Sequence, residues 1–114
     1  MDVHFTALDD LAASLKAAGV RSASADPAEV NAPGVLVQLA GVELDRLAGY
    51  TLNARLLLVV PDNGHLRSRT ALAELLSTVT TVVDPDDTIT PVAVTLPGSP
   101  APLPGLSVPV DLLV

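Results

Sequence analysis

The 114-residue chain is 49% hydrophobic but only 2% aromatic. It reads as one domain, 1–114, with a core of Leu, Val, Ile and Ala and no aromatic platform for stacking bases or sugars. A net charge of −7, with Lys16, Arg21, Arg46, Arg55, Arg67 and Arg69 dispersed along the chain, argues against direct nucleic-acid binding, and the lack of cysteine excludes disulfides, thiolate catalysis and Cys-ligated zinc.

The first predicted element is a helix. Thr6 serves as its N-cap, with Asp9 three residues on as a short capping box. Leu8, Leu11, Ala12, Leu15 and Ala18 recur at helical spacing, and Gly19 follows as the stop. Asp2, His4 and Asp9 interrupt any signal-peptide core, so a soluble protein of the cytoplasm is expected. From Val20 to Pro33 the chain is small and polar, punctuated by Asp26-Pro27 and Ala32-Pro33, and reads as an ordered connector. Val35, Val37 and Leu39 then alternate with Leu36, Gln38 and Ala40 as a strand. The segment Gly41 to Gly49 mixes Val42, Leu44 and Leu47 with Glu43, Asp45 and Arg46; strand extension, helical turn and docking loop all fit it.

Tyr50 to Val60 is the longest strand. Tyr50, Leu52, Ala54, Leu56, Leu58 and Val60 form one face. The other face begins polar, with Thr51, Asn53 and Arg55, and ends apolar, with Leu57 and Val59; its first half should meet solvent or a partner and its second half should be covered. The apolar run Leu56 to Pro61 is too short to span a bilayer, so no membrane is expected. Pro61-Asp62-Asn63-Gly64 is a turn, and Asp62 or Asn63 caps a second helix from His65 to about Val82. Leu72, Leu75, Leu76, Val79, Val82 and Val83 form its stripe; Thr78, Thr80 and Thr81 are poor helix formers, so packing must hold that end. Asp84-Pro85-Asp86-Asp87 closes the helix. Ile89 to Leu96 is a strand that contains Pro91 and therefore belongs at an edge or carries a bulge. After the Pro97–Gly105 excursion, Leu106, Val108, Val110, Leu112 and Val114 alternate as a last strand. The order α-β-β-α-β-β points to an α+β fold: a mainly antiparallel four-stranded sheet with two helices packed on one face.

Catalytic patterns are weak throughout. His4 and His65 stand alone before helices, with no second ligand at a metal spacing. Asp84, Asp86 and Asp87 lack the central Gly, the distal Glu and the further oxygen ligands of a calcium loop. There is no Gly-x-Ser-x-Gly elbow and no phosphate-binding Gly-rich loop. Asp9 with Asp10, and Glu43 with Asp45, are ordinary solvated acids. We therefore expect no enzyme, no cofactor and no metal. Arg67 and Arg69, two apart on a helix, point to different sides. Arg55 projects from the polar half of a strand, where solvent is its ordinary neighbour.

The order of features is similar to that of a known family. An amphipathic helix ends in Ala-Gly-Val. The connector runs from Asp26-Pro27 to Ala32-Pro33-Gly34-Val35-Leu36-Val37. A strand ends Leu58-Val59-Val60-Pro61, a helix is built on Ala71-Leu72-Ala73-Glu74-Leu75-Leu76, and the chain closes Leu103-Pro104-Gly105-Leu106-Ser107-Val108-Pro109-Val110. Across nearly its whole length, the chain resembles the tail terminator (tail-completion or head–tail joining) proteins of long-tailed bacteriophages.

The resemblance implies a structural virion protein at the tail–neck junction, assembled in the host cytoplasm. Such proteins form a hexameric ring on the tail tube, stop its polymerisation and present a surface to the head–tail connector. The acidic charge suits a lumen through which DNA passes without specific binding. A cyclic ring needs two different faces per subunit. The expected interface residues are Arg46, Tyr50, Asn53, Arg55, Arg67, Arg69, Asp86 and Asp87, with the Gly41–Gly49 segment, the Pro97–Gly105 excursion and main-chain addition at the Pro91 edge as further contacts. The alternatives are another phage neck, connector or tail-tube subunit and, from a different class, a small cellular ligand- or peptide-binding α+β module.

Overall fold

The computed structural model describes residues 6–45, 49–62, 64–85, 88–98 and 101–113. Helix α1 spans Thr6–Ala17 and buries Leu8, Leu11, Ala12 and Leu15. Thr6 is already helical rather than the cap, a shift of the kind common at frayed helix ends. At the other end, Gly19 has φ 117°. Its amide donates to Lys16 O at 3.1 Å, and the amide of buried Val20 donates to Leu15 O at 3.1 Å. These two bonds close the helix on a left-handed glycine, as the sequence predicts.

The connector is ordered by its own polar groups, and it contains a strand that the sequence reading does not include. Strand β1, Ala23–Ser24, pairs in parallel with β2, Gly34–Asp45. Between them lies a 3₁₀ turn, Pro27–Glu29, with Asp26 accepting from the amide of Ala28 at 3.0 Å. Ser22 Oγ donates to Glu29 O at 3.3 Å and accepts from the amide of Asn31 at 3.1 Å. The Ala32–Pro33 peptide is cis.

Strand β3, Gly49–Val59, follows β2, and the Gly41–Asp45 stretch is strand extension. Helix α2 covers His65–Val79, and the last strands are β4, Thr90–Val94, and β5, Leu103–Leu113. The expected capping of α2 is corrected. Gly64, at φ 96°, occupies the N-cap and makes no side-chain cap bond; a turn requiring that conformation favours glycine over Asp62. The threonine-rich C-terminal end stops at Val79 and continues as turns, where Thr80 and Thr81 hydroxyls donate to Leu76, Ser77 and Thr78 carbonyls, the competition with the backbone that makes them poor helix formers.

The sheet is five-stranded and mixed, in the order β1-β2-β3-β5-β4, rather than four-stranded and antiparallel. The fold is α+β, with two helices. Register places Val35, Val37, Ala54, Leu56, Leu58, Val108 and Val110 on one face. They share a core with Leu8, Leu11 and Leu15 of α1 and with Leu72, Leu75, Leu76 and Val79 of α2. On the opposite face a second cluster joins Val30 of the connector to Leu36, Leu57, Val59, Val94 and Leu96. The graded burial expected along β3 follows: Leu57 and Val59 are covered on that face, while Arg55 is exposed. Pro91 lies on β4, the outermost strand, where a missing amide does least harm. Pro109 stands on β5 beyond the end of its pairing with β4, which stops at Ser107, so it too removes no bond from that ladder.

Candidate functional site

The sheet face turned away from the main core is closed at one end by the second cluster and open elsewhere. Gln38 stands opposite Arg55 across β2–β3, and Pro109 opposite Arg55 across β3–β5. A shallow depression of about 370 Å³ is lined by Leu36, Gln38, Arg55, Leu57, Val92 and Ser107, among others. Its floor is aliphatic, and its polar side-chain groups are one guanidinium, one amide and the hydroxyls of Thr95 and Ser107. This set can seat an aliphatic side chain and pair with a carboxylate. It contains no acid–base pair. Among the described residues, no group of three or more His, Cys, Asp or Glu side chains is placed to hold a metal ion.

A second feature is the arm formed where β2 and β3 extend together. Pairing shifts between Leu39 and Gly41, a bulge that inserts Ala40 as an extra residue. Without it, Gly41 and Glu43 would continue the face of Val35 and Val37. With it, Val42 and Leu44 stand opposite Leu52 and Tyr50 on that face, and Glu43 turns to the other. Around the bulge β2 is less covered than its neighbour: Leu39 is 37%, Val42 39% and Leu44 70% exposed, while Leu52, opposite Val42 on β3, is fully buried. Since β1 pairs only with Val35 and Leu36, the outer edge of β2 over 37–45 is open among the described residues. This is the kind of edge that invites another chain, tempered by its bulge and by Glu43. It is a longer template than the edge of β4, whose five residues include Pro91.

The third feature is the outward side of α2. Ser68, Leu72, Leu75, Leu76 and Val79 turn inward, which leaves Leu66 74% exposed near the start of the helix. Arg67 and Arg69 flank it: one shallow hollow is lined by Leu66, Arg67, Thr70 and Glu74, another by Leu66, Arg69, Thr70 and Ala73. The first turn of α2 has no acidic residue, so these cations lie at the helix end where positive charge is mildly unfavourable.

The expected interface residues therefore do not form one site. Asn53 and Arg55 lie on the open sheet face, whereas Arg67 and Arg69 lie on a helix packed against the other face. The backbone of Tyr50 pairs opposite Leu44. Arg46, Asp86 and Asp87 lie outside the described residues. Of Leu44 and Leu66, the most exposed large hydrophobic residues described, Leu44 falls within the expected Gly41–Gly49 segment without being singled out, and Leu66 is not among the residues expected from sequence. Leu66 has a sequence signal, because it falls outside the stripe that begins at Leu72. Leu44 has only its place in that segment, because the bulge hides its side of the strand.

Comparison with family models, with curated proteins and with solved structures returned no match.

Proposed function

We propose that this chain is a structural subunit that assembles head-to-tail into a closed ring, the tail terminator of a long-tailed phage. In this role a ring, six copies by resemblance, caps the tail tube, stops its growth and meets the connector at the neck, with DNA passing through the lumen. The observation that carries the reading is the unlike character of the two ends of the molecule. The arm presents Val42 and Leu44 on one face and Glu43 on the other, while the start of α2 presents Leu66 between Arg67 and Arg69. Two different surfaces on one chain are what a cyclic assembly requires.

The decisive experiment adds the purified protein to polymerising tail tubes and measures tube length and particle mass by electron microscopy and mass photometry. The expected result is tubes capped at one end by a ring of six copies. A protein that neither binds tubes nor changes their length overturns the reading. A protein that itself polymerises into tubes is instead a tail-tube subunit.

The depression at Arg55 favours a second reading, a small ligand- or peptide-binding module. Such a module stays monomeric at micromolar concentration and binds short peptides ending in an aliphatic residue and a free carboxylate. Calorimetry with that peptide class separates the two readings.

A further inference from the structure

Ser68 and Ser107 are the buried polar residues of the described structure, and they differ in one respect. Ser68 donates to Pro61 O at 3.2 Å. Ser107 is 7% exposed, yet its hydroxyl makes no hydrogen bond among the described residues. No fully buried side-chain oxygen or nitrogen described lacks a partner, so the Ser107 hydroxyl is not sealed inside. The surface it keeps opens into the depression on the open sheet face. An almost buried hydroxyl left unbonded is unfavourable, and a ligand group entering the depression relieves it.

Register places the other groups around it. Leu36, Leu57 and Ser107 stand side by side on β2, β3 and β5, and Gln38 and Arg55 stand two residues farther along the same face. Arg55 is the diagonal neighbour of Ser107 across β3–β5, about 7–8 Å away, so one residue-sized ligand can touch both. Val92 and Val94, members of the second cluster, line the end away from Arg55. The Arg55 and Gln38 side chains are exposed and carry no hydrogen bond or ion pair among the described residues.

These groups call for three features on one ligand: a carboxylate for Arg55, an aliphatic group for the Leu36–Leu57 floor, and a hydrogen-bonding group close to the carboxylate for Ser107. The last residue of a peptide has all three when its side chain is aliphatic, because its amide nitrogen lies two bonds from the carboxylate carbon. A plain aliphatic acid leaves Ser107 unbonded.

We propose that Ser107 is the specificity residue of this depression and bonds the last amide of a peptide that ends in an aliphatic residue. The amide N–H donates to Ser107 Oγ, the terminal carboxylate pairs with Arg55 and Gln38, and the side chain lies on Leu36 and Leu57. The preceding residues leave past exposed Thr95 at the rim. The inference rests on the ligand- or peptide-binding reading of the depression and not on the ring.

Calorimetry on the full chain tests it with three ligands. One is a tetrapeptide of three alanines and a terminal leucine. The second is its depsipeptide, in which an ester oxygen replaces the last amide N–H. The third is 4-methylpentanoate, the leucine skeleton without the amide. Wild type is expected to bind the tetrapeptide about three- to tenfold more tightly than the depsipeptide, the scale of one hydrogen bond. Ser107→Ala removes that preference and leaves depsipeptide binding unchanged. Arg55→Gln weakens the tetrapeptide and the depsipeptide alike, by about tenfold or more, as loss of a charged hydrogen bond does. Ser107→Ala also leaves the urea midpoint no lower than wild type, since it breaks no bond; a lowered midpoint shows a structurally bonded hydroxyl and overturns the inference. Equal binding of tetrapeptide and depsipeptide by wild type overturns the role of Ser107 and leaves the ligand-binding reading standing. 4-Methylpentanoate bound as tightly as the tetrapeptide overturns the peptide as ligand and leaves a site for small acids. A wild-type chain that binds none of the three overturns both the inference and the ligand-binding reading.

Discussion

Gly105 lies against the backbone of Leu58: a methyl group placed on it would stand 2.5 Å from the Leu58 carbonyl oxygen and 3.0 Å from Val94 Cγ2. Gly105 is on β5, where it pairs with Val59 on one side and Val92 on the other, so three strands are held at a spacing that admits no side chain. Neither backbone neighbour can move without breaking a ladder. Gly105→Ala should cost about 1–3 kcal/mol, the scale of overpacking, and lower the urea midpoint accordingly. Gly98→Ala, with open space around it, should leave the midpoint within about 0.5 kcal/mol of wild type.

Ser68 is a buried polar residue on the inner side of α2, and its hydroxyl donates to Pro61 O at 3.2 Å. The bond ties the helix to the segment that leaves β3. Gly64 makes no side-chain cap bond at the same end, so among the described residues Ser68 supplies a side-chain anchor there. Ser68→Ala should destabilise by about 0.5–1.5 kcal/mol, the net value of one hydrogen bond. Hydrogen exchange should rise more in the first turns of α2 than in its Leu72–Val79 half.

Much of this architecture is legible in the chain because local chemistry decides it. The Leu8–Leu15 stripe with Gly19, the alternation of Leu106 to Leu112, and Pro91 on an edge strand each follow from side-chain period or a missing amide. The rest depends on partners distant in sequence. Ala23 and Ser24 become a strand only because β2 lies alongside, and nothing in a two-residue strand signals that. Ala40 shifts the register of β2, so the alternation of Val42, Glu43 and Leu44 falls out of phase with that of Val35 to Leu39 and reads as irregular. The candidate surfaces were half visible for the same reason. Charged residues stand out in a sequence whether or not they share a face, whereas exposed Leu44 resembles a core residue until the fold shows it uncovered.

Leu15 is fully buried between α1 and the sheet, in the cluster that includes Val35, Leu56 and Val79. With almost no aromatic residues in the chain, aliphatic side chains supply the core volume and no large neighbour can swing in to fill a gap. Leu15→Ala should therefore cost about 2–5 kcal/mol. The check is chemical denaturation, with the slope expected unchanged and the midpoint lowered. A loss below about 1 kcal/mol would mean that α1 contributes little to the cooperative unit.

Arg55 separates folding from assembly. Its side chain is exposed at the depression on the open sheet face, opposite Gln38 and Pro109, so replacing it removes no core contact. Arg55→Glu should leave unfolding free energy within about 0.5 kcal/mol of wild type. In the proposed ring its effect falls on association. The reversal places a carboxylate over an aliphatic floor in a chain already carrying −7, and any acidic group docking there meets repulsion instead of a guanidinium. Ring formation should weaken, and weaken less as salt is raised, because added ions screen the new repulsion. Light scattering across a salt series reads both effects. Assembly equal to wild type at low salt would take the depression out of the subunit interface and leave it to the ligand- or peptide-binding reading.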